Sequence, residues 1–300
     1  MLKTRPFRYF QITLGGIWII DGLLQLQPRM FTRQFIDRVI NPIASHQPVF
    51  INGPIHFLAT IFIHQPVLFN SLIAIIQLTI GILIINKRTI KMGLCASFFW
   101  GLFVWYIGEG LGGLFTGQAT LMGGAPGAAA LYCILSLAFW PTPDKRQRRL
   151  INSVIMGSWI LIWIGGALLT IYNGMITSSM LGNSVSATGG GIPNWLAYID
   201  SRVGSFVAGQ GNWLAWTLIA LEGLIAMAIF LPTGLKRLII IIGLGLDVIF
   251  WLVGQHVGSL YSGVATDLNT APVLFILGLV MLFMPGIKLN LFAAPADNMQ

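Results

Sequence analysis

Ionisable side chains are scarce in this chain, and several of them interrupt apolar runs. Asp21, Glu109, Glu222 and Asp247 each lie in or at the end of a hydrophobic stretch, and His256 closes another. A charged group at membrane depth is unfavourable, so such residues face an interior or a wet cavity. Glu109 and Gln255 occupy one position in two copies of a motif, and His256 follows Gln255 directly. A carboxyl in a partly dry site keeps its proton readily, and an imidazole titrates near neutral pH. Glu109 and His256 are therefore the candidate catalytic pair, suited to passing a proton to or from a bound oxygen atom. The candidate binding residues are Asp21, Gln77, Trp105, Glu222, Asp247, Trp251, Gln255 and Tyr261. Glu109, Gln255 and His256 are expected to approach one another between the two halves of the chain, with Trp105 and Trp251 walling the space.

The motif carrying these residues runs from Trp105 to Thr120 and again from Trp251 to Thr266. One offset of 146 pairs Trp105 with Trp251, Gly108 with Gly254, Gly112 with Gly258 and Gly117 with Gly263. The same offset pairs Ala125-Pro126 with Ala271-Pro272. A match this long at one register marks an internal repeat. The glycines weaken the helix end and allow close backbone approach. The chain that follows is polar and short, which suits a loop dipping back among helices. Pro126 and Pro272 then suit the first turn of the next helix, with Thr270 as a cap. The N-termini of those helices would offer free N–H groups to an anion or a carbonyl oxygen.

The elements that must position this motif are helices in a membrane. Of 300 residues, 56% are hydrophobic and 9% charged, and the mean hydropathy is +0.81. A soluble domain carries roughly a quarter charged residues. Apolar runs at 9–27, 67–85, 92–112, 126–140, 151–173, 212–232, 237–257 and 271–285 predict eight spans. The fold class expected is all-α integral membrane, with two parallel four-helix repeats over 1–143 and 144–300 forming one membrane domain. The charged connector at 141–149 divides them. Two returning four-span units place their pseudo-twofold axis along the membrane normal. Between spans, Phe31, Phe35, Val39 and Ile43 recur every four residues, which predicts an interfacial helix on the outer side. Shorter amphipathic pieces are expected at 54–65 and 193–207.

Lysine and arginine set the orientation. With the N-terminus cytoplasmic, thirteen fall in inner segments, Lys3 and Lys288 among them, and four in outer ones. Short loops follow that bias, so both termini are expected in the cytoplasm of a multi-pass protein of the cell membrane. The net charge of +8 is spread between apolar runs, so nucleic acid is not expected as a partner. Cys95 and Cys133 form no Cys-x-x-Cys motif and read as buried thiols. No two histidines stand three or four residues apart and no Cys-x-x-Cys-His occurs, so haem or metal is not expected. Catalytic triads, Walker loops and dinucleotide fingerprints are also absent.

The second helix of each half carries Gln77-Leu-Thr-Ile-Gly-Ile-Leu or Glu222-Gly-Leu-Ile-Ala-Met-Ala. A short basic turn follows each, Asn86-Lys-Arg-Thr or Pro232-Thr-Gly-Leu-Lys-Arg. A four-helix unit with this pattern resembles the DoxX/DoxD-like membrane family, here in tandem. The resemblance implies an integral membrane protein, in some members a subunit of thiosulfate:quinone oxidoreductase. It makes Gln77 and Glu222 the polar position of the second helix, a quinone the cofactor to expect, and a redox subunit the partner. Two function classes follow. One is a quinone-linked redox subunit acting on a small molecule or anion at an outward-facing polar site. The other is a transporter or a lipid- or small-molecule-binding membrane protein without redox chemistry.

Overall fold

The computed structural model describes residues 4–186 and 193–284. Lys3, Lys288 and the C-terminal tail lie outside the described residues. Among those described, every regular element is helical. Their order is α1 (Thr4–Leu24), α2 (Arg33–Phe35), α3 (Asn41–Ala44), α4 (Val49–His64), α5 (Pro66–Ile85), α6 (Ile90–Phe103) and α7 (Ala128–Ala138). The second half follows as α8 (Lys145–Tyr172), α9 (Ser178–Ser186), α10 (Asn194–Gly209), α11 (Trp213–Met227), α12 (Thr233–Ile249) and α13 (Thr270–Phe283).

Five helical segments are long and apolar enough to cross a bilayer: Pro66–Ile85, Ile90–Gly108, Lys145–Tyr172, Trp213–Phe230 and Thr233–Gly254. α1 has 21 residues but carries Arg5, Arg8 and Asp21 in its sequence. α7 and α13 have 11 and 14 residues. At ~1.5 Å per residue neither reaches the ~30 Å of a hydrocarbon core. Both are shorter than their apolar runs suggest because each ends two residues early, at Ala138 and Phe283, and α7 also starts two residues late. Gly127 before α7 and Asn269 before α13 have φ of 103° and 69°, outside helical space.

The packing pairs helices in the same way in each half. α1 lies along α5 and α8 along α11, while α6 packs on α7 and α12 on α13. α7 meets both α13 and α8, which joins the halves. The first pair is close because small residues meet: a side chain on Gly15 or Gly81 would strike the facing helix. At one end of the bundle, Phe10 stacks on Phe139 and touches Phe283, and Gln11 donates to the carbonyl of Phe139. Here basic side chains close helix C-termini. Arg8 donates to the carbonyls of Ile84 and Ile85, Arg148 to that of Trp140, and the buried Lys236 to that of Met284 at 2.7 Å. A cation at a helix C-terminus satisfies open carbonyls and complements the dipole.

At the other end, α6 runs into a wide turn at Val104–Gly108 and a tight one at Gly110–Gly113. α12 does the same at Phe250–Gly254 and His256–Ser259. Leu111 and Gly112 are left-handed in the first copy, and Val257 and Gly258 in the second. The repeat at offset 146 is therefore a repeated backbone shape. Past the turn the register changes. The Trp105 indole donates to the carbonyl of Pro126, but Trp251 donates to that of Leu268. That is 142 residues rather than 146, one helical turn less. Ala125-Pro126 and Ala271-Pro272 thus match in sequence without matching in place. Pro126 precedes α7, whereas Pro272 lies inside α13. The cap expected of Thr270 falls to Asn269, whose side chain accepts from the N–H of Thr270. The Thr270 hydroxyl instead donates to the carbonyl of Gly124 in the other half.

The segment 28–64 covers this end. It forms a continuous helical stretch over 33–44 followed by α4, which begins at Val49 rather than at Pro54. Gln47 ties it to the carbonyl of Gly110 at 2.8 Å and Tyr106 to the carbonyl of Phe50 at 2.5 Å. Gln27 and Arg29 reach across to the carbonyls of Ala265 and Ser262. α9 and α10 are the corresponding cover of the second half. Cys133 is buried as expected, but Cys95 is exposed on the side of α6, where lipid rather than protein would face it.

Candidate functional site

Beneath the cover of the first half lies a cavity of about 360 Å³. Its walls are apolar: Phe35, Ile36 and Val39 from the cover, Ile55, Ala59 and Phe62 from α4, Phe69, Ile73 and Ile76 from α5, and Trp100 and Phe103 from α6. Its polar end gathers Asp21 and Gln25 from the end of α1, Gln77 from α5, Glu109 from the end of α6, Tyr132 from α7, and Thr266 and Asp267 from the loop before α13. Among the described residues, no lysine, arginine or histidine lines it.

Each polar group is fixed by a local cause. The end of α6 brings Glu109 against the start of α7, where the N–H of Ala129 donates to both carboxylate oxygens at 3.0 and 3.2 Å. The free N-terminus expected to attract an anion is thus closed by the protein's own carboxylate. Gly127 makes the approach possible, since a Cβ there would overlap the Glu109 carboxylate. Tyr132 donates its hydroxyl to Asp21 Oδ2 at 2.5 Å. Trp18 packs on the Tyr132 ring at 4.5 Å and donates to Ser97. Asp267 accepts from the Thr266 hydroxyl at 2.7 Å and from the N–H of Asn269 at 2.6 Å, which holds the entry to α13. Burial pushes its carboxyl up, and those two bonds only partly offset this. Asp21, Glu109 and Asp267 stand near enough for their charges to act on one another.

Several acceptors at this end are left open. Asp21 Oδ1, Gln25 Oε1 and Gln77 Oε1 are buried without a partner. A buried acceptor without a bond costs roughly 1–3 kcal/mol, which a ligand can recover.

Of the residues expected from sequence, the cavity unites Asp21, Gln77 and Glu109. The others go elsewhere, and Glu109 does not meet Gln255 and His256 in a shared site. Gln255 repeats the Glu109 contact in its own half, accepting from the N–H of Ala271 at 2.9 Å. His256 Nδ1 pairs with Asp200 Oδ2 on α10 at 2.8 Å. That pair pins the second cover where Gln47 pins the first, since Gly110 and His256 are 146 apart. Burial raises the Asp200 carboxyl, and the bond to His256 pulls it back. Trp105 and Trp251 fasten loops rather than wall the cavity. Glu222 is buried beside Gly166 of α8, and Asp247 is buried in α12; neither has a hydrogen-bond partner and neither lines the cavity. Tyr261 is 54% exposed and meets Trp195 edge-on.

Tyr132, Gln25, Asp267, Gly127 and Asp200 are the residues that sequence reasoning passed over. The signal for Asp267 was present, because Asp-x-Asn before an apolar run is capping chemistry. Tyr132 was legible only as a hydroxyl in an apolar helix. Among the described residues no group of three His, Cys, Asp or Glu side chains is placed to hold a metal ion. Comparisons with protein-family models, with curated proteins and with solved structures give no match.

Proposed function

We propose that this chain is an integral membrane protein that holds a lipid-soluble small molecule in the cavity under residues 33–64. The molecule's apolar body lies against the α4–α6 wall and its polar head against Asp21, Glu109 and Asp267. The observation carrying this reading is the division of one cavity into an apolar wall and an acidic end, with no basic residue among the described residues that line it. A mostly apolar pocket with a few convergent polar groups is the usual form of a small-molecule site, and 300–1,000 Å³ is the usual size range, roughly. The spans are proposed as eight, in two repeats, with α1, α7 and α13 joining the five long helices. The meeting of α1, α5, α7 and α13 at one end supports that alternation.

A quinone-linked redox role in the manner of the DoxX/DoxD-like family is the second reading. It is favoured by the acid–phenol pair of Asp21 and Tyr132 beside Glu109. A protonated carboxyl can donate to a quinone oxygen, and a carboxylate can accept from a quinol hydroxyl. A small anion such as thiosulfate fits less well, since no cation among the described residues lines the cavity to receive it.

Trp18 and Trp100 line the cavity, so tryptophan fluorescence reports occupation. Decylubiquinone added to the purified protein in nanodiscs should quench it saturably. Ala59→Phe, which fills the cavity from α4, should remove the saturable part. Quenching that rises linearly with quinone and is equal in the variant would mean simple partitioning into lipid and would defeat the proposal. Quinol-dependent reduction of a dye by the same preparation separates the redox reading from binding alone.

A further inference from the structure

The open atoms of the cavity point to one class of head group. Asp21 Oδ1 is an acceptor without a partner, on a side chain at least nine-tenths buried that lines the cavity. It calls for a donor, and the neighbouring amides of Gln25 and Gln77 can present either an oxygen or an NH2 to the same group. Among the described residues the only donor to the Asp21 carboxylate is the Tyr132 hydroxyl, and it occupies the other oxygen. The titratable groups facing the space are Asp21 from α1, Glu109 after α6, Tyr132 from α7 and Asp267 before α13, with Cys133 behind Glu109. The cover and α4 contribute apolar side chains alone, and among the described residues no cation arrives from any element. Three carboxyl groups sharing a space of low polarity without a counter-charge cannot all ionise. Trp18 and Trp100 add aromatic faces, which attract a cation where water is thin.

We infer that the cavity takes an amphiphilic organic cation, an ammonium with N–H donors on an apolar body, and takes it in exchange for a proton of the carboxyl cluster. The inference rests on the cavity's being a small-molecule site and adds the charge of the occupant and the counter-movement of a proton. The exchange balances simply. One carboxyl O–H bond breaks and its proton leaves to water. The resulting carboxylate accepts a hydrogen bond from the ammonium, which arrives already protonated. The charge within the cavity is the same before and after, so the low-polarity site never holds a bare anion. Such an exchange makes affinity for the cation rise with pH while the cluster still holds its proton, by about tenfold per pH unit for one proton released. An ion whose nitrogen carries no hydrogen should bind less well than a primary ammonium, because it leaves the open acceptor unmet.

The test uses 1-adamantylamine and 1-adamantanol, which share one apolar cage. Each is titrated calorimetrically into the full-length protein in nanodiscs, in two buffers of different ionisation enthalpy, across a range of pH. The amine is expected to bind more tightly than the alcohol, to release about one proton per molecule and to gain affinity with pH. The alcohol should bind without proton release. Asp21→Asn retains an oxygen for the Tyr132 hydroxyl. It should lower amine affinity by about tenfold or more and abolish the proton release, while the alcohol, which needs no carboxylate, still binds. Alcohol binding therefore shows that the variant's cavity is intact. Equal binding of amine and alcohol in the wild type, with no proton released, would overturn the exchange and leave the small-molecule site standing. Failure of both probes to bind, together with linear quenching by decylubiquinone, would remove the site itself and the exchange with it.

Discussion

Glu109 has two jobs that its substitutions can separate. It accepts from the N–H of Ala129 at the start of α7, and it is one of three carboxyls at the polar end of the cavity. Glu109→Gln keeps an acceptor of the same length, whereas Glu109→Ala leaves a buried N–H alone. The alanine variant should be less stable by about 1–3 kcal/mol, and the glutamine variant by a small fraction of that. Thermal unfolding in detergent measures both, and equal losses would show that the capping contact does not matter. Asp267 tests charge without changing shape. Its carboxyl is raised by burial above its unfolded value. The stability due to its neutral form is therefore complete below the ordinary aspartate pKa of about 3.9 and is lost as pH rises through the raised folded value. Asp267→Asn keeps the acceptor for the Asn269 N–H and ceases to titrate. Its melting temperature should fall less steeply from acid to neutral pH than the wild type's, and should be the higher of the two at neutrality. Part of the slope should persist, since Asp200 is shifted in the same direction for the same reason. His256→Ala leaves Asp200 Oδ2 as open as its Oδ1 and should destabilise the cover formed by α9 and α10. At this scale the sequence showed which polar residues were out of place among apolar ones. It could not show their partners, because Asp21, Glu109, Tyr132 and Asp267 are brought together from four separate elements.

The turn after α6 and its copy after α12 set where everything polar goes. In both, a left-handed pair of residues reverses the chain, and a glycine in the second position lets the returning strand of backbone pass. A Cβ on Gly112 would overlap the carbonyl of Pro126, and one on Gly258 would stand 2.9 Å from that of Leu268. Both glycines have φ of 64°. Strain and collision add at each site, so Gly112→Ala and Gly258→Ala should each cost more than the ~1 kcal/mol of a strained backbone alone. Gly112→Ala should cost the more of the two, because its Cβ would overlap the Pro126 carbonyl oxygen outright, whereas at Gly258 the Leu268 oxygen stands 2.9 Å away. Equal or reversed losses, read from chemical unfolding, would show that the returning backbone does not set the cost. The turn was legible because glycines and tryptophans recur at one offset. The slip of one helical turn after it was not, because Ala-Pro recurs at the same offset and conceals it. Only the tryptophan indoles, which find Pro126 in one half and Leu268 in the other, reveal the shorter loop. The candidate pairing of Glu109 with His256 rested on matched positions meeting across an axis. Each position instead serves its own half, one as a carboxylate at a helix start and one as the anchor of a covering helix.

For the whole molecule, the two ends of the bundle differ in kind, and this makes its orientation testable. One end holds Arg8, Arg148 and Lys236 on helix carbonyls. Lys87, Arg88 and Lys91 lie in and beside the turn between α5 and α6, and Lys145 and Arg146 open α8. The other end holds the covers, the two turns and the cavity, with Arg29, Arg33, Arg38 and Arg202 as its basic residues. Positive charge is retained on the cytoplasmic side during insertion, so the capped end should be inside and the cavity should open toward the outer leaflet. The polar end of the cavity includes Thr266 and Asp267 from the second half although its walls come from the first, so the site requires both halves inserted with one sense. Alkaline phosphatase is active only outside the cytoplasmic membrane. Fused after Gln118 or Ser262, at the two turns, it should be active; fused after Lys145, at the start of α8, it should be silent. A silent fusion at Gln118 with an active one at Lys145 would invert the molecule and place the cavity on the cytoplasmic side. Activity at Gln118 but not at Ser262 would be the more informative failure. The two turns would then lie on opposite sides, and Asp267 could not close a cavity that begins with Asp21 and Glu109.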